Sequence, residues 1–298
     1  MPKKRGKKRS WGRVFLIALA AIYVVSLVFV PLTTLVAGAF SNGVAAFFRS
    51  LFHPDALHAM RITLWMVVWA VFLNSVFGTV TAWVLVRDVF PGKKVLSALI
   101  DVPFAVSPVI AGFVLIELFG KGGLLRSITD ALGIQVAFAI PGMVLATVFV
   151  SLPFVVREVM PVLAEIGVEQ EQAAFTLGAS PLTAFWRVTL PSIKWGLTYG
   201  VTLTAARAIG EFGAVLVVSG GVAGRTETAT SFVYRALEDR NDVGAYSMAL
   251  VLSIASVALL LAMEKLKHRR TGDAYTTQTD VSATSPTMAL GAPQKVEP

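Results

Sequence analysis

The chain has 298 residues, a mean hydropathy of +0.72 and only 15% charged residues, against roughly 25% in soluble domains, which excludes an ordinary soluble globule. It has no cysteine, so disulfides, thiolate metal sites and thiol nucleophiles are ruled out, and its three histidines (His53, His58, His268) lack metal-ligand spacing. The net charge of +8 reads as topology and contact with anionic lipid, not as a nucleic-acid footprint, because the basic residues gather at the ends of apolar runs.

About 20 helical residues cross a hydrocarbon core of roughly 30 Å. On that measure the sequence predicts an all-α membrane protein with six spans: Val14–Gly38, Ile62–Val86, Val95–Phe119, Val136–Val156, Leu197–Gly220 and Val243–Met263. A basic arm, residues 1–13, precedes the first span with Lys3, Lys4, Arg5, Lys7, Lys8, Arg9 and Arg13. The arm and Ala37-Gly38-Ala39 imitate a signal peptide. The apolar run exceeds the roughly 7–15 residues of such a peptide, so it is read as an uncleaved anchor. Residues 14–59 then make the first helix and an external loop, and residues 60–264 a body of five helices. Within that body lies a polar loop, 158–195. Residues 265–298, rich in Thr, Ser and Gln without apolar periodicity, are expected to be disordered. Lys and Arg favour the arm, the tail and the second and fourth loops, which puts both termini in the cytoplasm under the positive-inside rule.

In the third span Asp101 is followed by Pro103 and Pro108. Ser107-Pro108 reads as N-cap and first turn of a half-helix, whose free N–H groups suit an anion within the membrane. The long loop before the fifth span predicts a short helix broken near Pro161 and residues 165–167, then a second helix over Val168–Leu177 with Glu169 and Glu171 in its first turn. Gly178 makes a corner. Ser180-Pro181 opens a third helix with Leu182, Phe185, Trp186 and Val188 on its apolar side, ended by Pro191. The result is a helix–corner–helix handle able to dock in a groove. In the fifth span Arg207 and Glu211 are four apart on one face, near enough to pair, and Gly200 and Thr204 extend a polar seam. Gly210 and Gly213 permit close helix approach.

A charge at bilayer depth costs at least about 2.5 kcal/mol. Asp101, Ser107, Pro108, Thr204, Arg207 and Glu211 are therefore candidate translocation-path residues. The residues by themselves leave two alternatives open: an oxyanion path, or an ion pair and a proline kink that merely fix helices. A phosphate-cradling loop needs Gly-Lys followed by Ser or Thr. Gly6-Lys7, Gly92-Lys93 and Gly120-Lys121 all lack it, so energy comes from elsewhere. No catalytic residue and no metal ligand is assigned.

The spacing Ala173-Ala174, three residues, Gly178, nine residues, Val188-x-Leu190-Pro191 resembles the EAA loop of ABC-importer permeases. Gln172 stands where that pattern usually has Glu, with Glu171 just before it. Three further strings, DVPFAVSPVIAG (Asp101–Gly112), FVVREVMPVL (Phe154–Leu163) and RAIGEFGAVLVVSG (Arg207–Gly220), are similar to the W-type permease of sulfate/thiosulfate ABC importers. The resemblance spans roughly Trp11 to Lys265. It implies a type I importer fold with an ABC transmembrane domain over 60–264, in a bacterial inner membrane. It further implies two ATPase subunits that bind the ATP and Mg, a sister sulfate permease as heterodimer partner, and an extracytoplasmic sulfate-binding protein. No cofactor is held by the chain itself. Glu171, Gln172, Ala173, Ala174, Gly178, Leu190 and Pro191 would be the ATPase-coupling residues. A molybdate or tungstate permease, and an ion-coupled secondary anion transporter using Asp101, Arg207 and Glu211 as a relay, remain open alternatives. An intramembrane hydrolase has no Ser/His pair to support it.

Overall fold

A backbone immersed in lipid must satisfy its own N–H and C=O groups, and helices do this within one segment. The computed structural model of the protein describes residues 11–283, and no strand occurs among them. Most of the arm, residues 1–10, lies outside the described residues. Helix α1 (Trp11–Ala39) and short α2 (Val44–Leu51) precede α3 (Pro54–Arg87), which His53 caps by accepting the Asp55 N–H at 3.4 Å. Then come α4 (Lys93–Ala105), α5 (Pro108–Phe119), the small α6 (Arg126–Ala131) and α7 (Ile140–Ile166). The polar loop holds α8 (Glu169–Thr176) and α9 (Pro181–Ala184), then a π-helical turn over Phe185–Thr189. The last four are α10 (Leu190–Ile209), α11 (Gly213–Ser219), α12 (Ala229–Glu238) and α13 (Asp242–Ala283).

Among the described residues, four helices are long and apolar enough to cross a membrane: Phe15–Ala39, Pro54–Arg87, Ile140–Ile166 and Asp242–Lys265. The third and fifth predicted spans are bent pairs, α4–α5 at 113° and α10–α11 at 59°, which bring the total to six. The first bend falls at Ser107-Pro108, as the proline pattern predicts. The second was not expected. Gly210 ends α10, so Glu211 sits in a break and not on a continuous helical face.

Three further expectations are corrected. Helix α7 runs unbroken through Pro153 and Pro161 to Ile166, so no separate short helix precedes α8. Each proline removes one ladder bond, a loss borne at buried Pro153 among neighbouring helices and at Pro161 on an exposed face, and the chain turns instead at Gly167, with φ +70°. Pro191 does not end the handle, because it lies in the first turn of α10, and the π-turn before it absorbs the missing N–H. Helix α13 continues past 265 to Ala283, where disorder was expected. Extending an existing helix needs no new nucleus, so polar residues can follow it. The end of that predicted tail, residues 284–298, lies outside the described residues.

Helix α7 is the axle of the bundle, packing on α3, α4, α5, α10 and α11. Val155, Val156 and Val159 are fully buried on it, with Leu163 one turn further. β-Branched residues suit such a tight stack, since their χ1 freedom is already small in a helix. Glycines on the facing helices let the backbones touch. A Cβ on Gly78 would lie 2.8 Å from the Val155 side chain, and one on Gly200 would lie 2.9 Å from Val155 Cα. Gly112 on α5 is tighter still, because a Cβ there would stand 2.5 Å from the Ala214 carbonyl oxygen on α11. Small residues at membrane helix contacts allow this approach, where dispersion and packing replace the hydrophobic effect.

Gly112→Val should therefore force α5 off α11 and lower stability by about 2 kcal/mol or more. Gly12→Ala, whose Cβ would meet nothing within 4 Å, should be neutral. Thermal unfolding of the two detergent-solubilised variants checks this, and equal midpoints would contradict it.

Candidate functional site

The handle is built from sequence-local rules. Helix α8 begins with Glu169 and Glu171, which complement its dipole. It ends in a Schellman motif: the Gly178 N–H donates to Phe175 O at 2.9 Å and the Ala179 N–H to Ala174 O at 3.0 Å. The motif requires a left-handed residue, and Gly178 supplies φ +83°. Ser180 then caps α9, its hydroxyl accepting the Thr183 N–H at 3.3 Å. Gln172, Ala173, Gly178 and Pro191 are exposed, while Ala174 and Leu190 are half-buried. Around them Leu177 (89% exposed), Leu182 and Trp186 form a bare apolar face on an otherwise polar element. Exposed apolar area of this kind, rimmed by polar groups, suits contact with a protein or a lipid surface. The sequence pattern assigned Leu182 and Trp186 to it, and Leu177 was missed because it falls in the turn.

Glu171 is different. Its side chain is only 13% exposed and faces inward. One carboxylate oxygen, Oε1, accepts from Arg87 Nη2 at 3.1 Å and from the Thr189 hydroxyl at 2.8 Å. The charge that could have compensated for Gln172 is therefore already engaged.

The polar groups among the spans form two sets. Asp101 on α4 makes a two-pronged contact with Arg157 on α7: Arg157 Nε donates to Oδ1 at 2.9 Å, and Nη2 donates to Oδ2. Both side chains are 41% exposed. Beside the pair, the rings of Phe104 and Phe154 meet edge-on at 5.5 Å. The pairing of Asp101 escaped the sequence reading because Arg157 was assigned to a loop. The spacing of the two residues carries no signal, since they are 56 positions apart.

The second set surrounds the bend in the fifth span. Arg207 Nη1 pairs with Glu211 Oε2 at 2.6 Å, as the i, i+4 spacing predicts. Glu211 is 1% exposed. Its Oε1 accepts the Ala214 N–H at 3.1 Å, capping α11, and its main-chain oxygen accepts from the Thr230 hydroxyl of α12 at 2.8 Å. Thr204 is buried one turn below, and its hydroxyl finds no partner among the described residues. The start of α5 reaches the same place. A Cβ on Gly213 would lie 3.1 Å from Val109 Cγ2 and 3.5 Å from Pro108 Cβ. The structure thus brings Pro108 beside the Glu211–Gly213 break, with Ser107, exposed, at the adjoining bend. Asp101 belongs to the other set. Gly213 serves the predicted close approach, whereas Gly210 serves to end the helix.

Two polar contacts were not foreseen. Asn74 on α3 is fully buried and donates to Ser151 of α7 at 2.7 Å. An amide in an apolar span demands such a partner, and that demand was the available signal. At the opposite end from the handle, Glu227 is 1% exposed and takes two hydrogen bonds from Arg235, at 2.6 and 3.0 Å. This carboxylate holds the Arg235 guanidinium above its ordinary pKa.

With this geometry in place, comparison with known proteins is informative. Residues 74–273 match the model of the family described as binding-protein-dependent transport system inner membrane component. The chain belongs to that family. It is accordingly a multi-pass inner-membrane permease of the ABC transporters, a family without its own ATPase site, working with an ATPase and a binding protein. It is 45% identical to the sulfate transport system permease protein CysW of Synechocystis sp. over 257 residues, covering 86% of this chain and 93% of that one. Identity to the CysT counterpart of Salmonella typhimurium is 35% over 258 residues, covering 87% and 93%. Among solved structures, a chain of a bacterial alginate ABC transporter in complex with its alginate pentasaccharide-bound periplasmic protein superposes with a TM-score of 0.72. That match covers 89% of this permease and 96% of the other at 15% identity, a likeness of fold alone.

Removing Arg207 leaves a carboxylate buried without a counter-charge, a loss of about 3–5 kcal/mol. Arg207→Ala should therefore destabilise the permease, and adding Glu211→Gln should recover part of the loss, because a neutral amide needs no counter-ion. Thermal inactivation of the single and double variants checks this, and simple additivity would contradict it.

Proposed function

We infer that this chain is the membrane-spanning permease of an ATP-driven importer that moves sulfate into the cytoplasm. The observation that carries the reading is identity at 45% to a sulfate-system permease along almost its whole length. Higher identity to the W-named than to the T-named relative supports the W-type role, with a T-type sister as heterodimer partner. Thiosulfate, a tetrahedral dianion of similar charge, is a second substrate. Two separate ATPase subunits bind ATP and Mg, and an extracytoplasmic binding protein delivers the anion. Both termini and the α8–α9 handle lie in the cytoplasm.

Each part of the site has a task in this reading. The exposed face of Leu177, Leu182 and Trp186, with Gln172, Ala173, Ala174, Gly178, Leu190 and Pro191 around it, docks in the ATPase, and Glu171 holds the handle in position for it. Closure of the ATPase dimer on ATP draws the paired handles together and tilts the spans attached to them. The anion passes the level of the two bends. There Arg207, the first-turn N–H groups of Val109 and Ile110 behind Ser107-Pro108 and the Thr204 hydroxyl supply donors that compensate for part of its lost hydration, and Glu211 holds Arg207 in place. Asp101 keeps the neighbouring Arg157 neutralised until an anion arrives. Chemistry stays on the partner, because no Gly-Lys pair of this chain continues into Ser or Thr.

Radiolabelled sulfate uptake by cells with and without this chain is the direct test. Uptake should depend on the chain, require ATP and resist competition by molybdate. Uptake that survives ATP depletion but collapses with an uncoupler would overturn the reading. Gly178→Arg should insert normally, since a Cβ at Gly178 meets nothing within 4 Å and the left-handed backbone costs about 1–2 kcal/mol. It should nevertheless fail to retain the ATPase in pull-downs. The Arg207→Ala/Glu211→Gln double variant should accumulate yet carry less sulfate, and full transport would reduce Arg207 to a structural role.

A further inference from the structure

The last turn of α3 carries Arg87, whose side chain is only 10% exposed. Its guanidinium reaches three acceptors on two other elements. Nη1 donates to Leu163 O at 3.2 Å, and Nη2 donates to Gly167 O and to Glu171 Oε1, the latter at 3.1 Å. The first two are carbonyls at the C-terminal end of α7, which lack helical partners and sit at the negative pole of its dipole. The third belongs to α8. A fourth element joins through the same oxygen, since the buried Thr189 closes the π-turn and donates to Glu171 Oε1 at 2.8 Å. Directly beneath, Leu85, Leu163 and Ile193 from α3, α7 and α10 share one buried cluster.

Without this clasp, the handle would be tied to α7 only by the chain at Gly167. That residue has φ +70° and an inherently permissive backbone, so α8 would swing about it. The wide π-turn on the other side is the second soft point. The guanidinium bridges both.

We propose that Arg87, through Glu171 and Thr189, is the positioning residue that converts the handle from a hinged flap into a rigid lever on α3, α7 and α10. Glu171 then acts inward, on the permease itself, and not on the ATPase. The proposal rests on the reading of the handle as the ATPase contact. A clasp of this kind leaves docking intact when broken but lets ATP be spent without moving the spans.

The test uses the complete importer reconstituted in liposomes, with Arg87→Ala, Arg87→Lys, Glu171→Gln and Thr189→Val. Each variant should co-purify with the ATPase, yet ATP hydrolysed per sulfate moved should rise by about fivefold or more in Arg87→Ala and Glu171→Gln. The double variant should be no worse than either single one. Arg87→Lys, which keeps the charge but loses the fork, should fall between. If Arg87→Ala does not accumulate, the near-isosteric Glu171→Gln carries the test. A second readout does not depend on which anion is carried. The chain has no cysteine, so spin labels at Val89→Cys, two residues beyond the end of α3, and at Gln170→Cys on α8 report the separation of that end from α8 alone. That separation should stay fixed through the nucleotide cycle in otherwise unaltered protein, and broaden or shift on ATP addition in Arg87→Ala. An unchanged ATP-to-sulfate ratio with an unchanged label distance in the variants would overturn the proposal. Absence of sulfate transport in the unaltered complex, with the label distance behaving as expected, would overturn only the substrate assignment.

Discussion

Much of the bundle around the two bent spans depends on one buried carboxylate. Glu211 sits where α10 has ended and α11 has not begun, with its side chain shut away from solvent. One oxygen accepts from the first turn of α11, the other pairs with the last turn of α10, and the main-chain oxygen receives a hydroxyl from α12. A broken helix in a membrane leaves N–H and C=O groups that lipid cannot satisfy. Glu211 is the residue that makes the break tolerable. The charge of Arg207 is held there without being consumed, since a third of its side chain remains accessible.

The two bent spans are then parts of one construction. Helix α5 can begin against α11 only because Gly112 and Gly213 remove the side chains that would separate them. The half-helix start at Pro108 and the fifth-span break consequently fall side by side, bringing a positive helix end and a guanidinium into one neighbourhood. At the other end of the molecule the logic reverses. There α3, α7 and α8 are gathered on one guanidinium, and the π-turn before α10 joins through Glu171. The permease thus combines two bent spans around polar groups with a closely tied base beneath the handle, an arrangement suited to transmission of force over a distance.

The fold was legible wherever apolar run length or turn chemistry decides. The spans follow from hydropathy, the Schellman turn from Gly178, and the bend in the third span from Ser107-Pro108. The Arg207–Glu211 pair was legible because helical spacing is local. What escaped was set by tertiary contact. Asp101 finds Arg157 and Arg87 finds Glu171 across dozens of residues, and no periodicity in either helix marks the match. The break at Gly210 also escaped, because a glycine beside apolar residues reads as helix contact as easily as helix end. Pro161 and Pro191 misled in the opposite direction: both look like terminators in isolation, yet one is carried within α7 and the other opens α10 behind a π-turn.

Helix α1 stands apart from all of this. Its apolar stretch, Phe15–Ala39, is wholly uncovered by the rest of the subunit until its far end meets α13, where Gly38 lies flat against the Tyr246 ring. Twenty-five residues make a rod of about 37 Å, longer than a hydrocarbon slab of roughly 30 Å. With little protein alongside to fix its inclination, the surrounding bilayer sets the angle. The rod leans further where the lipid is thin and straightens where it is thick, pivoting on the end contact where Leu35, Gly38 and Ala39 meet Tyr246 and Leu250 of α13.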